Sequence, residues 1–481
     1  MNFAIVRYLI GWMLGIESIF LLLPALTAVI YGEPELPAYL IAAAISLAGA
    51  ALLCHRKPKN TRFYAREGYV TVALCWLILA VIGALPFVLS REIPFFIDAL
   101  FETVSGFTTT GATILGDVEA LSYASMLWRC LTHWVGGMGV LVFMLIVLPL
   151  AGGQTIFLMR AESPGPSVSK MSPHMRDTAT ILYAIYFGLT VLQMILLLIG
   201  GMPLFDAICV SLGTAGTGGF GNWNDSIAHY NSAYLQNVIT VFMILFGINF
   251  SAYFLILTRK FRQAFRIEEI RVYLGVIFVF AGLIAFNVRP MFGSLRESFH
   301  HALFQVASII TTTGFSTVDF DQWPTFSRAL LVLLMFIGAC AGSTGGGIKC
   351  SRILLLGKSV KKELMCLIHP RLVRVNKMDG QRVPHEVMRS INVFVVAYAF
   401  IFILSLLIIS LNCEDLVTCF TSVATTLNNV GPGLSLCGPT CNFGFFPPLS
   451  KGVLIFDMLA GRLELFPMLL LFTPGTWQRN K

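Results

Sequence analysis

Four short segments, far apart in the chain, set hydroxyls or amides against a closing glycine. They are Ser105-Gly106-Phe107-Thr108-Thr109-Thr110-Gly111, the stretch from Ser211 that ends Gly216-Thr217-Gly218-Gly219, the stretch from Ser308 that ends Thr311-Thr312-Thr313-Gly314, and Thr425-Thr426-Leu427-Asn428-Asn429-Val430-Gly431. Such residues supply neutral oxygen ligands. A dehydrated cation in a membrane needs its water replaced by oxygens, and carbonyl rings built by four loops do this for potassium. For successive carbonyls to turn inward, the backbone must visit conformations that glycine adopts cheaply. The candidate ligands for such a cation are therefore Thr110 and Gly111, Gly218 and Gly219, Thr313 and Gly314, and Val430 and Gly431.

The glycines at 111, 219, 314 and 431 stand 108, 95 and 117 residues apart. Solenoid and propeller periods of about 20 to 50 residues are far shorter. The spacing suits a unit of two membrane spans with a shorter stretch between them. That stretch, for example Phe205 to Leu212, cannot reach across and must enter and turn back, which is tolerated only where protein buries it or a watery cavity faces it. Its helix would aim a partially negative C-terminus at the cation. Two spans per unit keep the units in one orientation around an axis along the membrane normal. The expected pieces are 69–90, 96–108 and 127–150; 178–200, 203–215 and 233–258; 270–288, 297–311 and 328–348; and 390–412, 415–427 and 450–473.

The fold expected is an all-α polytopic membrane protein with four pseudo-repeats of helix, pore helix and helix around one central pore, plus an N-terminal helical hairpin. Its divisions are 1–60 for the hairpin, then 61–158, 159–262, 263–375 and 376–481 for the four repeats. Composition agrees: of 481 residues 56% are hydrophobic and 12% charged, against about 25% charged in soluble domains. The apolar run Ile391 to Ile409 lacks the alternation of a β-barrel strand. The N-terminal apolar run behind Arg7 shows no cleavage site and reads as a retained helix.

The net charge of +8 does not indicate nucleic acid, because Lys and Arg crowd into 55–66, 159–176, 259–271 and 349–389 while 201–232 and 413–450 contain none. Positive loops stay in the cytoplasm, so the four motifs face outward. Loops 259–271 and 349–389 are a candidate docking surface, although anionic lipid headgroups suit their charge equally. Most of the eleven cysteines read as small hydrophobes. Cys437 and Cys441, near Cys413, lie in an outer loop where an oxidising compartment would allow a disulfide. No set of His, Ser and acidic residues converges at one depth, so no enzyme is expected.

Two features lie beyond the motifs. The run Gly338 to Gly347 should break its span, since glycine weakens a helix by about 1 kcal/mol per residue relative to Ala. It reads either as close helix packing or as a loop within the membrane. A phosphate loop is excluded, because Ile348 separates Gly347 from Lys349, so no nucleotide is bound by this chain. In the last apolar span Arg462 must find a partner or the pore, since charge at mid-membrane costs at least about 2.5 kcal/mol. A pair with Glu464 is geometrically poor on one helix. Arg462 either faces the pore as an electrostatic barrier or pairs with an acid on another helix. His133 reads as a satisfied structural group, and Asn428 and Asn429 as braces of their loop.

With these residues in view, the sequence resembles the Trk/Ktr/HKT superfamily of cation transporters over nearly its whole length. The resemblance is carried by Ser105 to Thr113, Gly218-Gly219-Phe220, Thr312 to Phe315, and Leu427 to Gly433. Outside them it includes Trp134 to Gly139, Arg160-Ala161-Glu162 with Pro164-Gly165-Pro166, Gly338 to Gly347, and Gly461 to Glu464. It implies a potassium-selective filter, since no copy replaces its glycine by Ser as in sodium-preferring relatives, and a bacterial inner-membrane location. It further implies a gate made by Gly342, Ser343, Thr344, Gly345, Gly346 and Gly347 with Arg462 below the filter, a homodimer, and a cytosolic ring of TrkA-type nucleotide-binding subunits. A sodium or less selective cation transporter, or an ion-coupled symporter, is the alternative.

Overall fold

The computed structural model describes residues 1–58, 64–147, 175–371 and 375–478, without the side chains of 138–147 and 175–179. The basic loop 159–176 falls almost wholly outside these residues. So do Arg160 to Pro166, the tail of the 127–150 span, and the divisions at 60–61 and 158–159.

The described residues are mostly helical. Helices α1 (Phe3–Tyr31) and α2 (Leu36–Cys54) form the N-terminal hairpin. Gly32 closes α1 at φ 69°. The turn also carries Glu33, whose carboxylate accepts the amides of Tyr123 at 2.6 Å and Ala124 at 3.0 Å. Both amides belong to the start of the helix Tyr123–Val147, where a negative group is favoured. The hairpin thereby braces the first unit.

That unit is α3 (Ala65–Ser90), the short α4 (Phe96–Phe107) and α5 (Tyr123–Val147). The second is α6 (Met175–Ile199), short α7 (Leu204–Gly216), then α8 (Ala233–Phe246) and α9 (Phe250–Leu257), followed by a single turn, α10 (Phe261–Ala264). The third is α11 (Glu268–Val288), short α12 (Leu295–Ile310) and α13 (Thr325–Ile337), with α14 (Cys350–Ile368) beyond a non-helical segment. The fourth is α15 (His385–Ile409), short α16 (Leu416–Leu427), α17 (Pro448–Arg462) and α18 (Phe466–Leu471). A two-residue antiparallel ladder, Lys377–Met378 against Gln381–Arg382, joins α14 to α15. Among the described residues six helices are long and apolar enough to cross a membrane.

Two spans expected to be continuous are broken. The 233–258 stretch bends by 93° between α8 and α9. Asn249 caps α9 by accepting the Ser251 amide at 2.8 Å. The 450–473 stretch breaks after Arg462, where Glu464 and Leu465 have φ of 58° and 67°. The break expected at Gly338 is present, and it serves the first of these. Cys340 N–H donates to Gly247 O at 3.1 Å and Phe250 N–H to Gly342 O at 3.0 Å. Backbone groups freed in one helix are thus satisfied by another broken segment, which is how irregular backbone survives at membrane depth.

Candidate functional site: four loops in a ring

Each short helix ends in the same backbone path. Thr109, Thr217, Thr312 and Asn429 hold left-handed φ of 55°, 55°, 58° and 55°. The next amides, of Thr110, Gly218, Thr313 and Val430, donate back five residues to Ser105, Gly213, Ser308 and Thr425 at 2.9, 2.9, 2.8 and 2.8 Å. The closing glycines 111, 219, 314 and 431 follow at φ of 79°, 79°, 86° and 99°. All eight predicted ligand residues occupy equivalent places on this path. Divergence in sequence at the second and fourth copies does not reach the backbone.

The loops also meet one another in cyclic order. A Cβ added to Gly111 would lie 2.0 Å from Gly218 O, one on Gly219 2.0 Å from Thr313 O, one on Gly314 2.5 Å from Val430 O, and one on Gly431 2.7 Å from Thr110 O. Glycine is needed twice at each place, for its φ and for the space taken by the next loop's carbonyl. The four helix C-termini converge on this ring, adding partial negative charge.

Side chains brace the ring from behind. Thr108 and Thr110 share a hydroxyl hydrogen bond of 2.8 Å, and Thr311 and Thr313 one of 2.7 Å. The first and third loops, opposite in cyclic order, therefore carry the hydroxyl pairs. At the second, a Cβ on Gly218 would fall 2.2 Å from the His133 ring, so no Thr fits. His133 Nε2 accepts the Phe220 amide at 3.2 Å, which leaves the ring proton on Nδ1, facing Gly106 O at 2.7 Å. At the fourth, Asn429 Nδ2 donates to Thr110 Oγ1 and to Met458 O, both at 2.9 Å. Asn428 Nδ2 donates to the Tyr398 hydroxyl and to Ala424 O, both at 2.8 Å.

Outside the ring is a cavity of about 120 Å³ that reaches Gly111, Gly219, Gly314 and Gly431. Arg129 also lines it. A cation there would be repelled but for Glu102, whose Oε1 accepts from Arg129 Nε at 2.6 Å with both side chains buried. Glu102 also accepts from Thr113 Oγ1 and the Ile114 amide, each at 3.0 Å, and Arg129 reaches Gly221 O at 3.2 Å. This pair ties the first loop to the second. The composition-led reading passed over it, although a charge within each of two apolar stretches was the available signal.

On the other side of the ring runs the segment 338–349. Gly346 N–H donates to Thr312 Oγ1 at 2.6 Å, and Gly347 N–H to Asn428 O at 3.0 Å. Gly345 approaches Thr311 O so closely that a Cβ would lie 2.9 Å from it. Gly342 is exposed and Ser343 partly so, while Thr344, Gly345 and Gly346 are buried. Arg462 donates to Thr344 O at 2.7 Å and to Gly136 O at 2.9 Å, spanning from this segment to α5. Glu464 pairs with Arg352 at 2.5 Å, on another helix, as the poor local geometry required.

Two further groups hold the segment. Glu269 Oε1 accepts the amides of Ala341 at 2.7 Å and Ser351 at 3.0 Å, stapling the segment to the first turn of α14. Lys349 Nζ donates to Gly345 O within it. Glu269 stands in the first turn of α11, where an acid reads as an ordinary helix start.

A family model described as TrkH, cation transport protein, matches residues 37–478. The Trk system potassium uptake protein TrkH of Salmonella typhimurium is 38% identical over 485 residues, covering 99% of this chain and all of that one. Its Escherichia coli K12 counterpart is 37% identical, with the same coverage. The crystal structure of the potassium transporter TrkH from Vibrio parahaemolyticus superposes with a TM-score of 0.89 at 33% identity, covering 99% of this chain and 100% of that one. The chain therefore belongs to the TrkH family of cation transport proteins, polytopic and helical.

Proposed function

We propose that this chain takes up potassium across a bacterial inner membrane, through a filter formed by the four loops and a gate formed by the segment beneath them. The observation that carries the reading is the closed cyclic contact of the four glycines with the carbonyls of Gly218, Thr313, Val430 and Thr110. A cation shedding water in the outer cavity exchanges it for these oxygens, and four helix C-termini favour its charge. Potassium is the ion in the names of the relatives. The units run 61–158, 159–262, 263–375 and 376–481 behind the 1–60 hairpin, with the loops facing outward.

Gating follows from the contacts of segment 338–349. Gly345 to Gly347 lie against the third and fourth loops, and Arg462 holds Thr344, beside them, to α5. A cytosolic ring of TrkA-type subunits, docked on loops 259–271 and 349–389, would move α14 and draw the segment aside. The chain works as a homodimer. Rubidium and sodium flux into proteoliposomes, with and without a proton gradient, tests the proposal. Rubidium should enter faster than sodium without the gradient. Equal rates overturn the selectivity, and rubidium accumulation driven only by the gradient overturns simple conduction.

A further inference from the structure

Cys413 precedes the fourth short helix and Cys419 lies in its first turn, while Leu436, beside Cys437, donates its amide to Thr418 Oγ1 of that turn at 3.3 Å. Asp415 caps that helix, accepting the amides of Val417 at 3.2 Å and Thr418 at 3.0 Å. The cap folds the chain so that the first turn of α16 lies back over the exit from α15. Cys419 Sγ reaches Cys413 O at 3.5 Å, and Cys413 Sγ faces Asp415 O at 3.7 Å, which brings the side chain of the one cysteine onto the backbone of the other. Cys413 is partly exposed and Cys419 buried.

We propose that Cys413 and Cys419 form a dithiol modification site, closed to an intramolecular disulfide by exchange with an oxidising protein disulfide outside the membrane. This rests on the outward placement of the four loops proposed above. In the exchange the Cys413 thiolate attacks a sulfur of the oxidant's disulfide. That S–S bond breaks, one thiolate leaves, and a mixed disulfide forms. The Cys419 thiolate then attacks the Cys413 sulfur, closing the new bond and releasing the oxidant's second thiolate. Two electrons pass to the oxidant, and the two thiol protons pass to water. The more accessible thiol is met first and the buried neighbour resolves it.

Cys437 and Cys441 are the pair suggested by sequence. Cys437 is fully buried against the fourth loop, its carbonyl accepting the Gly433 amide at 2.6 Å, whereas Cys441 is exposed. A Cys413–Cys419 bond would instead fix the outer end of the helix whose inner end carries Asn428 to Gly431. Oxidation thereby reaches the ring through one rigid element.

The test uses the full-length protein. It is alkylated with N-ethylmaleimide without reductant, digested and read by mass spectrometry, before and after treatment with oxidised glutathione. A linked Cys413–Cys419 peptide that dithiothreitol splits is expected, with Cys441 alkylated throughout. Cys413→Ser should abolish the link and return Cys419 as a free thiol, and its folding is checked by elution volume. Alkylation of both Cys413 and Cys419 after glutathione treatment overturns the proposal, as does a Cys437–Cys441 link in their place. Labelling of Cys441 in intact spheroplasts by a membrane-impermeant maleimide tests the outward placement separately. Failure there overturns the compartment of the oxidant, while the glutathione arm still decides the pair.

Discussion

Replacing Gly219 by alanine should damage the ring more than the same change at Gly431. A Cβ at Gly219 lies 2.0 Å from Thr313 O, so that carbonyl must retreat by about 1 Å to reach the closest contact real Cβ atoms make, near 3.0 Å. At Gly431 the nearest oxygen, of Thr110, is 2.7 Å away and needs only a few tenths of an ångström. Both changes also force an L-residue into positive φ, 79° and 99°, which costs about 1–3 kcal/mol. Every 1.4 kcal/mol is tenfold in population, so strain alone predicts about a 5- to 150-fold loss of the intact ring. The displaced carbonyl adds to this at Gly219. The assay is rubidium uptake per reconstituted protein, with sodium uptake in parallel and Gly275→Ala as control, a helical site with open space around it. Gly219→Ala should lose rubidium uptake and its advantage over sodium, Gly431→Ala should lose less, and the control should match the unmodified protein. Equal effects at the two sites, or wild-type rubidium preference in Gly219→Ala, would refute the ring as the selective element.

Three other outcomes follow. Arg462→Ala removes the bonds to Thr344 O and Gly136 O and should raise rubidium flux in the absence of any partner; unaltered flux per protein removes the barrier role. Glu269→Ala leaves two amides unpaired, at about 1–3 kcal/mol each, and should lower the melting temperature and raise basal flux, while Glu269→Gln keeps an acceptor and stays near wild type; identical melting of all three forms counts against the staple. Asp415 lies at the outer end of α16, and the hydrogen bond from the Thr418 hydroxyl, with others, holds its carboxyl down to about 2. Its folded value is below the unfolded one of about 3.9, so its stabilisation is full above pH 4 and fades as pH falls toward 2. Asp415→Ala should cost about 0.5–2 kcal/mol and flatten that acid limb of the melting curve, which an unchanged limb would contradict.

The repeat was legible because glycine at a required φ leaves a mark that hydropathy does not blur. Gly111, Gly219, Gly314 and Gly431 could be aligned although their neighbours had diverged. The breaks after Phe246 and Arg462 were not legible. The run 233–258 is apolar without proline, and nothing local records that Cys340 and Gly342 will satisfy its opened backbone. Long-range partners stayed hidden for the same reason. Arg352 and Glu464 are separated by 112 residues, and Glu269 by 72 from the amide of Ala341 that it holds. The place of His133 also needed the fold, since only there does its ring occupy the volume a Thr at 218 would fill.

Because the ring is drawn from one covalent chain, a substitution alters one quadrant and leaves three intact. In a filter built from four identical subunits each mutation arrives in quadruplicate, and a change tolerable once is met four times. Here the quadrants already differ in the room beside each glycine: an added Cβ would lie 2.0 Å from the next loop's carbonyl at the first and second, and 2.5 and 2.7 Å from it at the third and fourth. Drift in this lineage can therefore proceed quadrant by quadrant, and the looser side, around Gly314 and Gly431, is where gene variants should accumulate first.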